Sequence, residues 1–317
     1  MESQASSSGN RRSGSRLAAW YVRVPLKLLV LGGVTFFVLF PYPRQFARHL
    51  SHLSNMEAMV EPDAPELAAW EAELKAELAE AEKPATPGGD TASEDATDPS
   101  RRIPIAVQAF IYRKIAYGWD WDVWGSADYM PTVSEMFAQA AAAPDGRMRE
   151  DCDGRAIMAA SLLRRLGVDA SVATDLRHVW VVTPQGEWMG PGRKKTIVST
   201  SRGNRMSLRT AWSNVPTALS FGLAVFPLWR ELIILATAFL LLLRRGMTWR
   251  SAALGGLLLV QGLLFMRLGY LAPERVSRSV SAWPAWVGGA HVLSGLVTLW
   301  WSSIRAGRLA TVSARAN

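Results

Sequence analysis

One thiol and one imidazole are the residues of this sequence best placed to do chemistry. Cys152 is the chain's single cysteine and lies in Arg149-Glu-Asp-Cys-Asp-Gly-Arg155, while His178 heads the run His-Val-Trp-Val-Val. Asp151 is a good helix N-cap, and the spacing after it predicts a helix from Cys152 to Leu166, with Gly167 as its left-handed stop. Ile157, Ala160, Leu163 and Leu166 form the inward stripe of that helix. A thiol in the first turn sits at the positive end of the helix dipole, which lowers its pKa and frees the thiolate. Asp151 and Asp153 act in the opposite direction. Beyond Gly167 the pattern predicts a short strand at residues 168–173 and a second from His178 to Thr183. A turn at Pro184-Gln-Gly186 then leads into a third strand at Glu187-Trp188. A helix followed by a hairpin can bring His178 beside the sulfur, a nucleophile with its base. The plain alternative for Cys152 is a buried, inert thiol.

Taken together, these residues resemble a known family. Asp151-Cys-Asp153, a helix ending Leu162-Leu-Arg-Arg-Leu-Gly167, and His178-x-Trp-Val-Val look like the transglutaminase-like domain. Upstream, the stretch from Trp121 to Tyr129, then Pro131-Thr132 and Glu135-Met136-Phe137, is similar to what precedes the cysteine in the bacterial transglutaminase-like cysteine peptidases. The resemblance covers roughly residues 103–191, under a third of the chain. It implies a papain-like α+β fold, a helix bearing the nucleophile against an antiparallel sheet bearing the base. It also implies acyl transfer or hydrolysis on peptide or protein amides, with no metal and no cofactor. Cys152 is then the nucleophile and His178 the general base. In the family a carboxylate on the strand after the histidine orients the imidazole, in a Trp…Asp-Pro run. Here that stretch reads Trp188-Met-Gly-Pro191, so Gly190 stands at the acid's position. A hairpin turning at Gln185 puts Gly190 to Gly192 across from His178, with no side-chain acceptor; Asp175 and Glu187 would need a shifted register. The competing reading is therefore a degenerate binding or scaffold module that keeps the fold and has lost the chemistry.

Other candidates carry less. His49 and His52 share a helix face, but no further ligand accompanies them, and they read as solvated residues. His291 lies mid-way along the last apolar segment, with Gln261 and Arg267 of the preceding one as partners for a hydrogen bond between helices. Transport would rest on these three alone. Trp119, Trp121 and Trp124 suit either a cleft or a core, as do Trp180 and Trp188.

The remaining chain must tether such a site. Among its 317 residues, 49% are hydrophobic, enough for membrane spans. Apolar segments predict spans at 24–42, 226–243, 252–270 and 283–303, with a disordered basic stretch at 1–23 and a basic tail at 304–317. Residues 43–101 read as an amphipathic acidic helix (its stripe Leu67, Trp70, Leu74, Leu78) followed by a linker. Residues 102–214 read as the transglutaminase-like domain. From Glu57 to Asp98, thirteen acids against Lys75 and Lys83 give −11, so the rest of the chain carries +19. That charge flanks the apolar segments, which suits a lipid bilayer and argues against nucleic acid as a partner. Arginine clusters at 11–23, 244–250 and 305–315 fall on one side of a four-span chain, which the positive-inside rule makes cytoplasmic. The domain would then face the periplasm or exterior of a cytoplasmic membrane. Nothing in the sequence fixes an oligomeric state.

Overall fold

A computed structural model describes residues 9–81, 99–190, 194–200, 203–268 and 283–316. The chain divides into two compact units, one formed by Met1–Pro41, Phe226–Leu268 and Trp283–Asn317, the other by Tyr42–Val225 with Gly269–Ala282.

In the second unit, α2 (Pro43–Ser54) leads through a 3-10 turn (Met56–Met59) to α3 (Leu67–Ala81) and α4 (Pro99–Lys114). Strand β1 (Ala116–Tyr117), the short α5 (Asp120–Val123), α6 (Val133–Ala142) and β2 (Arg149–Glu150) precede α7 (Cys152–Arg165). Strands β3 (Ser171–Thr174), β4 (Val179–Thr183), β5 (Gly186–Trp188), β6 (Ile197–Thr200) and β7 (Gly203–Met206) follow, then α8 (Leu208–Val225). The sheet is antiparallel in the order β5-β4-β3-β6-β7, while β1 and β2 pair in parallel. The helix-then-hairpin arrangement matches the sequence pattern, including Asp151 as N-cap and Gly167 at φ +82°. Strands β6 and β7 were not legible, because β7 is exposed throughout and shows no apolar alternation.

Three expectations are corrected. The acidic helix docks the stripe read from the sequence, but as part of the domain rather than outside it: Leu67 and Leu74 are fully buried in the same core as α7, each worth roughly 1.5–3 kcal/mol of burial. Its carboxylates are met by basic neighbours, Glu71 by Arg165 at 2.6 Å, Glu77 by Arg113 at 2.5 Å and Glu73 by Lys114 at 2.7 Å. The domain therefore begins at Tyr42 rather than 102; the expected linker at 84–98 lies outside the described residues. His49 and His52 are not solvated either. The His52 Nδ1–H donates to the Met130 carbonyl (2.6 Å) and the Met130 N–H donates to His49 Nδ1 (3.2 Å), so two imidazoles clamp one residue. Finally, residues 9–23 are helical.

In the first unit, α1 (Gly9–Leu39) includes the span Tyr21–Leu39 and extends N-terminally through the arginines. Next come α9 (Leu228–Leu242), α10 (Trp249–Leu268) and α11 (Trp283–Ala316). Tyr21–Leu39 and Trp249–Leu268 are long and apolar enough to cross a membrane, and a third span exists if the helices on either side of Phe226-Pro227 count as one. Tryptophan, glycine, serine and His291 dilute the hydropathy of α11, which is not in this set. Arg267 pairs with Glu231 (2.6 Å) and the Phe226 carbonyl (2.7 Å), not with His291, whose Nδ1 bonds the Val287 carbonyl of its own helix at 2.8 Å.

The histidine clamp is testable through its pH dependence. Burial and the neighbouring His52 push His49 down to about 4, so the imidazole stays neutral and keeps its acceptor. A folded pKa below the unfolded 6.5 contributes stability that is full above pH 6.5 and lost as pH falls through 4. His49→Ala should cost about 1–3 kcal/mol at pH 7.5, leaving the Met130 N–H without its acceptor. In urea unfolding followed by tryptophan fluorescence, that cost should shrink steadily toward pH 4; a cost independent of pH would show that the lone pair plays no part.

Candidate functional site

Parallel pairing of β1 with β2 sets Ala116 beside Arg149 and Tyr117 beside Glu150, which delivers the start of α5 to the start of α7. Asp151 caps α7, its Oδ1 accepting from the Asp153 N–H at 3.1 Å, and Cys152 occupies the first turn, half-buried. Glu150 lies fully buried over that turn, held by Trp124 Nε1–H at 3.2 Å. A Cβ at Gly154 would meet the Glu150 carboxylate at 2.5 Å, so only glycine fits beneath it. Asp120 is buried as well; its Oδ2 accepts from the Tyr129 N–H at 2.8 Å, and its Oδ1 has no partner.

Acid thus gathers round the thiol. Burial first, then the Asp151 charge, pushes Asp120, Glu150 and Asp153 well above the usual carboxylate range. The same two causes push the Cys152 thiol up, and the Val179 N–H, close to the sulfur, holds back only part of the rise. The sequence-based expectation of a lowered thiol pKa is corrected: a helix dipole acts on the scale of about 0.3–1 kcal/mol and is outweighed here by burial and like charge. Asp120, Asp151 and Asp153 each offer a carboxylate oxygen within 4.8 Å of the others. These hard donors could hold a cation such as Ca²⁺ or Mg²⁺, and suit zinc poorly.

His178 immediately precedes β4, and its neighbour Val179 is the residue that faces the sulfur. Asp175 builds the approach to it: Asp175 Oδ1 accepts from the N–H groups of Arg177 and His178, both at 3.0 Å, with Leu176 between at φ +74°. Glu187 accepts from Trp180 Nε1–H at 2.9 Å. Neither acid reaches the imidazole, in keeping with the sequence reading. The imidazole nevertheless has a main-chain partner. His178 Nε2 lies 2.9 Å from the Met189 carbonyl, an acceptor only, so Nε2 carries the proton and neutral His178 keeps a lone pair on Nδ1. Among the described residues, no hydrogen bond joins the imidazole to the thiol.

The β4–β5 register ends at Val181 opposite Trp188, and the chain then leaves the strand through Met189 at φ +70° and Gly190 at φ +74°. That bend, invisible to a regular hairpin register, turns the Met189 carbonyl toward His178; residues 191 and 192 lie outside the described residues. A Cβ at Gly190 would come within 3.4 Å of His178 Nε2. Among the described residues, Leu176 and Met189 are the two non-glycines with positive φ; Met189 meets this imidazole through its carbonyl, and Leu176 lies two residues before it in the chain. Such backbone costs on the order of 1–3 kcal/mol per residue and persists only where its surroundings impose it.

Around the site, Arg155 lies over the rings of Tyr112 (5.4 Å) and Tyr117 (5.0 Å), both exposed, and Trp119 stacks on Trp121 at 4.8 Å. Trp180 and Trp188 are buried and belong to the core. Sequence reasoning missed Asp120, Glu150 and the Met189 carbonyl; the glycine at 154 was the available trace of Glu150. No protein-family model, curated protein or solved structure matches the chain.

Substituting Gly190 separates strain from crowding. Gly146 shares its left-handed backbone (φ +63°) but faces open space. Gly146→Ala should cost about 1 kcal/mol, the conformational penalty alone, and Gly190→Ala about the same, since 3.4 Å is ordinary contact. A clearly larger loss at 190 in chemical unfolding would mean that the imidazole presses on that residue.

Proposed function

We propose that the chain is a membrane-anchored thiol enzyme of the transglutaminase-like kind, acting on peptide amides outside the cytoplasm. One arrangement supports this reading above all. The single thiol, on the first turn of a buried helix, faces the backbone of Val179, and the preceding residue carries an imidazole whose remote nitrogen is tied to a carbonyl. A thiol whose pKa is raised by burial and by the Asp151 charge depends on a base. As the sulfur bonds to the amide carbon, the thiol proton passes to His178 Nδ1. The C–N bond then breaks, the imidazolium returns the proton to the departing amine, and a thioester remains on Cys152. Water converts that thioester to an acid, whereas a second amine yields a new amide. Cys152 is the nucleophile and His178 the general base. A papain-like relationship of the helix to the antiparallel sheet belongs to the same proposal.

The degenerate-module reading draws on three observations among the described residues: main chain, with no side-chain acid or amide, at His178 Nε2, the raised thiol pKa, and the lack of a thiol–imidazole hydrogen bond. An electrophilic peptide probe, such as a peptide vinyl sulfone, separates the two in the detergent-solubilised full chain. The enzyme reading expects labelling at Cys152 that is lost in Cys152→Ala and falls at least tenfold in His178→Ala, the usual scale for a general base. Labelling no faster than that of the urea-unfolded chain, or indifferent to His178, would establish the degenerate module.

Orientation follows from the arginine clusters, with α11 taken as the fourth span. An alkaline phosphatase fusion after Ser100 should be active in cells and a fluorescent-protein fusion there dark; the reverse pattern would put the site in the cytosol.

A further inference from the structure

The residue whose carbonyl holds His178 is itself held through the peptide before it. Met189 offers two main-chain groups at once: its carbonyl accepts from His178 Nε2–H at 2.9 Å, and its N–H donates to Gln108 Oε1 at 2.7 Å. Gln108 stands on α4, a helix packed against α7 and 81 residues away from Met189 in sequence. The Met189 side chain is buried on the core side of the same bend. A non-glycine residue left-handed at φ +70° does not stay so unaided. Trp188 before it is fixed by the sheet and by its Nε1–H to Thr183 Oγ1 (2.9 Å), and Gly190 after it supplies a second left-handed turn. Gln108 is the side chain that fixes the peptide between them.

We propose that Gln108 is a positioning residue for His178, acting through the main chain of Met189: it fixes the Trp188–Met189 peptide, and the carbonyl of the next peptide, Met189–Gly190, takes the place of the side-chain carboxylate that would otherwise orient the imidazole. Its catalytic meaning rests on the thiol-enzyme reading; the positioning itself does not. The arrangement has a chemical rationale. The site already holds Asp120, Glu150, Asp151 and Asp153 near the sulfur. A further carboxylate at position 190 would add like charge beside them, whereas a carbonyl fixes the tautomer while adding none. Rotation about the Met189 backbone, once the preceding peptide is released, would turn the acceptor away and let the proton sit on either nitrogen. The lone pair on Nδ1, which the base requires, would then be present only part of the time.

The readout is the tautomer of His178. The chain has four histidines, so selective ¹⁵N-histidine labelling of the solubilised full chain gives a sparse imidazole spectrum, with His178→Ala assigning the signal. Wild type should show the Nε2–H form. Gln108→Ala should give a tautomer mixture and a roughly 10- to 100-fold fall in His178-dependent probe labelling of Cys152, the scale of a misplaced catalytic group. Gln108→Glu, which keeps an acceptor, should restore both. Should Gln108→Ala lose its fold, Gln108→Asn, which withdraws the acceptor by one methylene, is read in the same way. An Nδ1–H form in wild type, or a tautomer unmoved by loss of the acceptor, overturns the proposal. If the tautomer responds as described while labelling ignores His178 in every variant, the positioning stands and the thiol-enzyme reading falls.

Discussion

The burial of α7 is the constraint from which the rest of the extended site is built. From Ala156 to Leu163 every residue of the helix is buried, with α4, α6, β3 and β4 packed around it. Its C-terminal arginines reach back to the first part of the domain, Arg164 to Glu57 and Arg165 to Glu71. A helix gripped along its length can end only where its neighbours end. Its N-terminus therefore opens at the seam between the β1–β2 pair and the β3–β4 hairpin, and Cys152 with it. The thiol's neighbours follow from that placement, Val179 from the hairpin and Asp120 by way of the parallel pair.

Electrostatics at the seam runs against the simplest account of a reactive cysteine. Helix-dipole and amide contributions favour a thiolate, but burial and a crowd of carboxylates oppose it, and the opposing side prevails. Placing several acids where charge is costly is itself destabilising, and burial with the Asp151 charge raises the pKa values of Asp120, Glu150 and Asp153. Under the proposed reading, chemistry here would lean on a base already set in the right tautomer, and the left-handed Met189 is what presents the carbonyl that sets it.

The membrane-associated unit is joined by different means. Helices α10 and α11 meet through glycines: a Cβ at Gly262 would meet the Gly288 carbonyl at 2.7 Å, and one at Gly295 would meet the Gly255 carbonyl at 2.9 Å. Close backbone approach substitutes for the hydrophobic drive that lipid does not provide between helices. The Arg267–Glu231 pair adds a polar tie between α10 and α9.

What the sequence determined by itself is local. The helix from Cys152 with its Asp151 cap and Gly167 stop, the hairpin turning near Gln185, the stripe of α3 and the apolar segments all follow from periodicity, capping and turn chemistry over a few residues. The approach of the start of β4 to Cys152 was legible because the elements bearing them are adjacent in the chain. Tertiary structure decided everything that depends on residues far apart or on a break in regularity. The domain's true start at Tyr42, the His49–His52 grip on Met130 and the approach of Asp120 to α7 all join segments tens of residues apart. The main-chain partner of His178 was hidden for a second reason. Side-chain patterns report side chains, and this acceptor is a main-chain carbonyl, exposed to the imidazole only because Met189 and Gly190 leave the strand with positive φ.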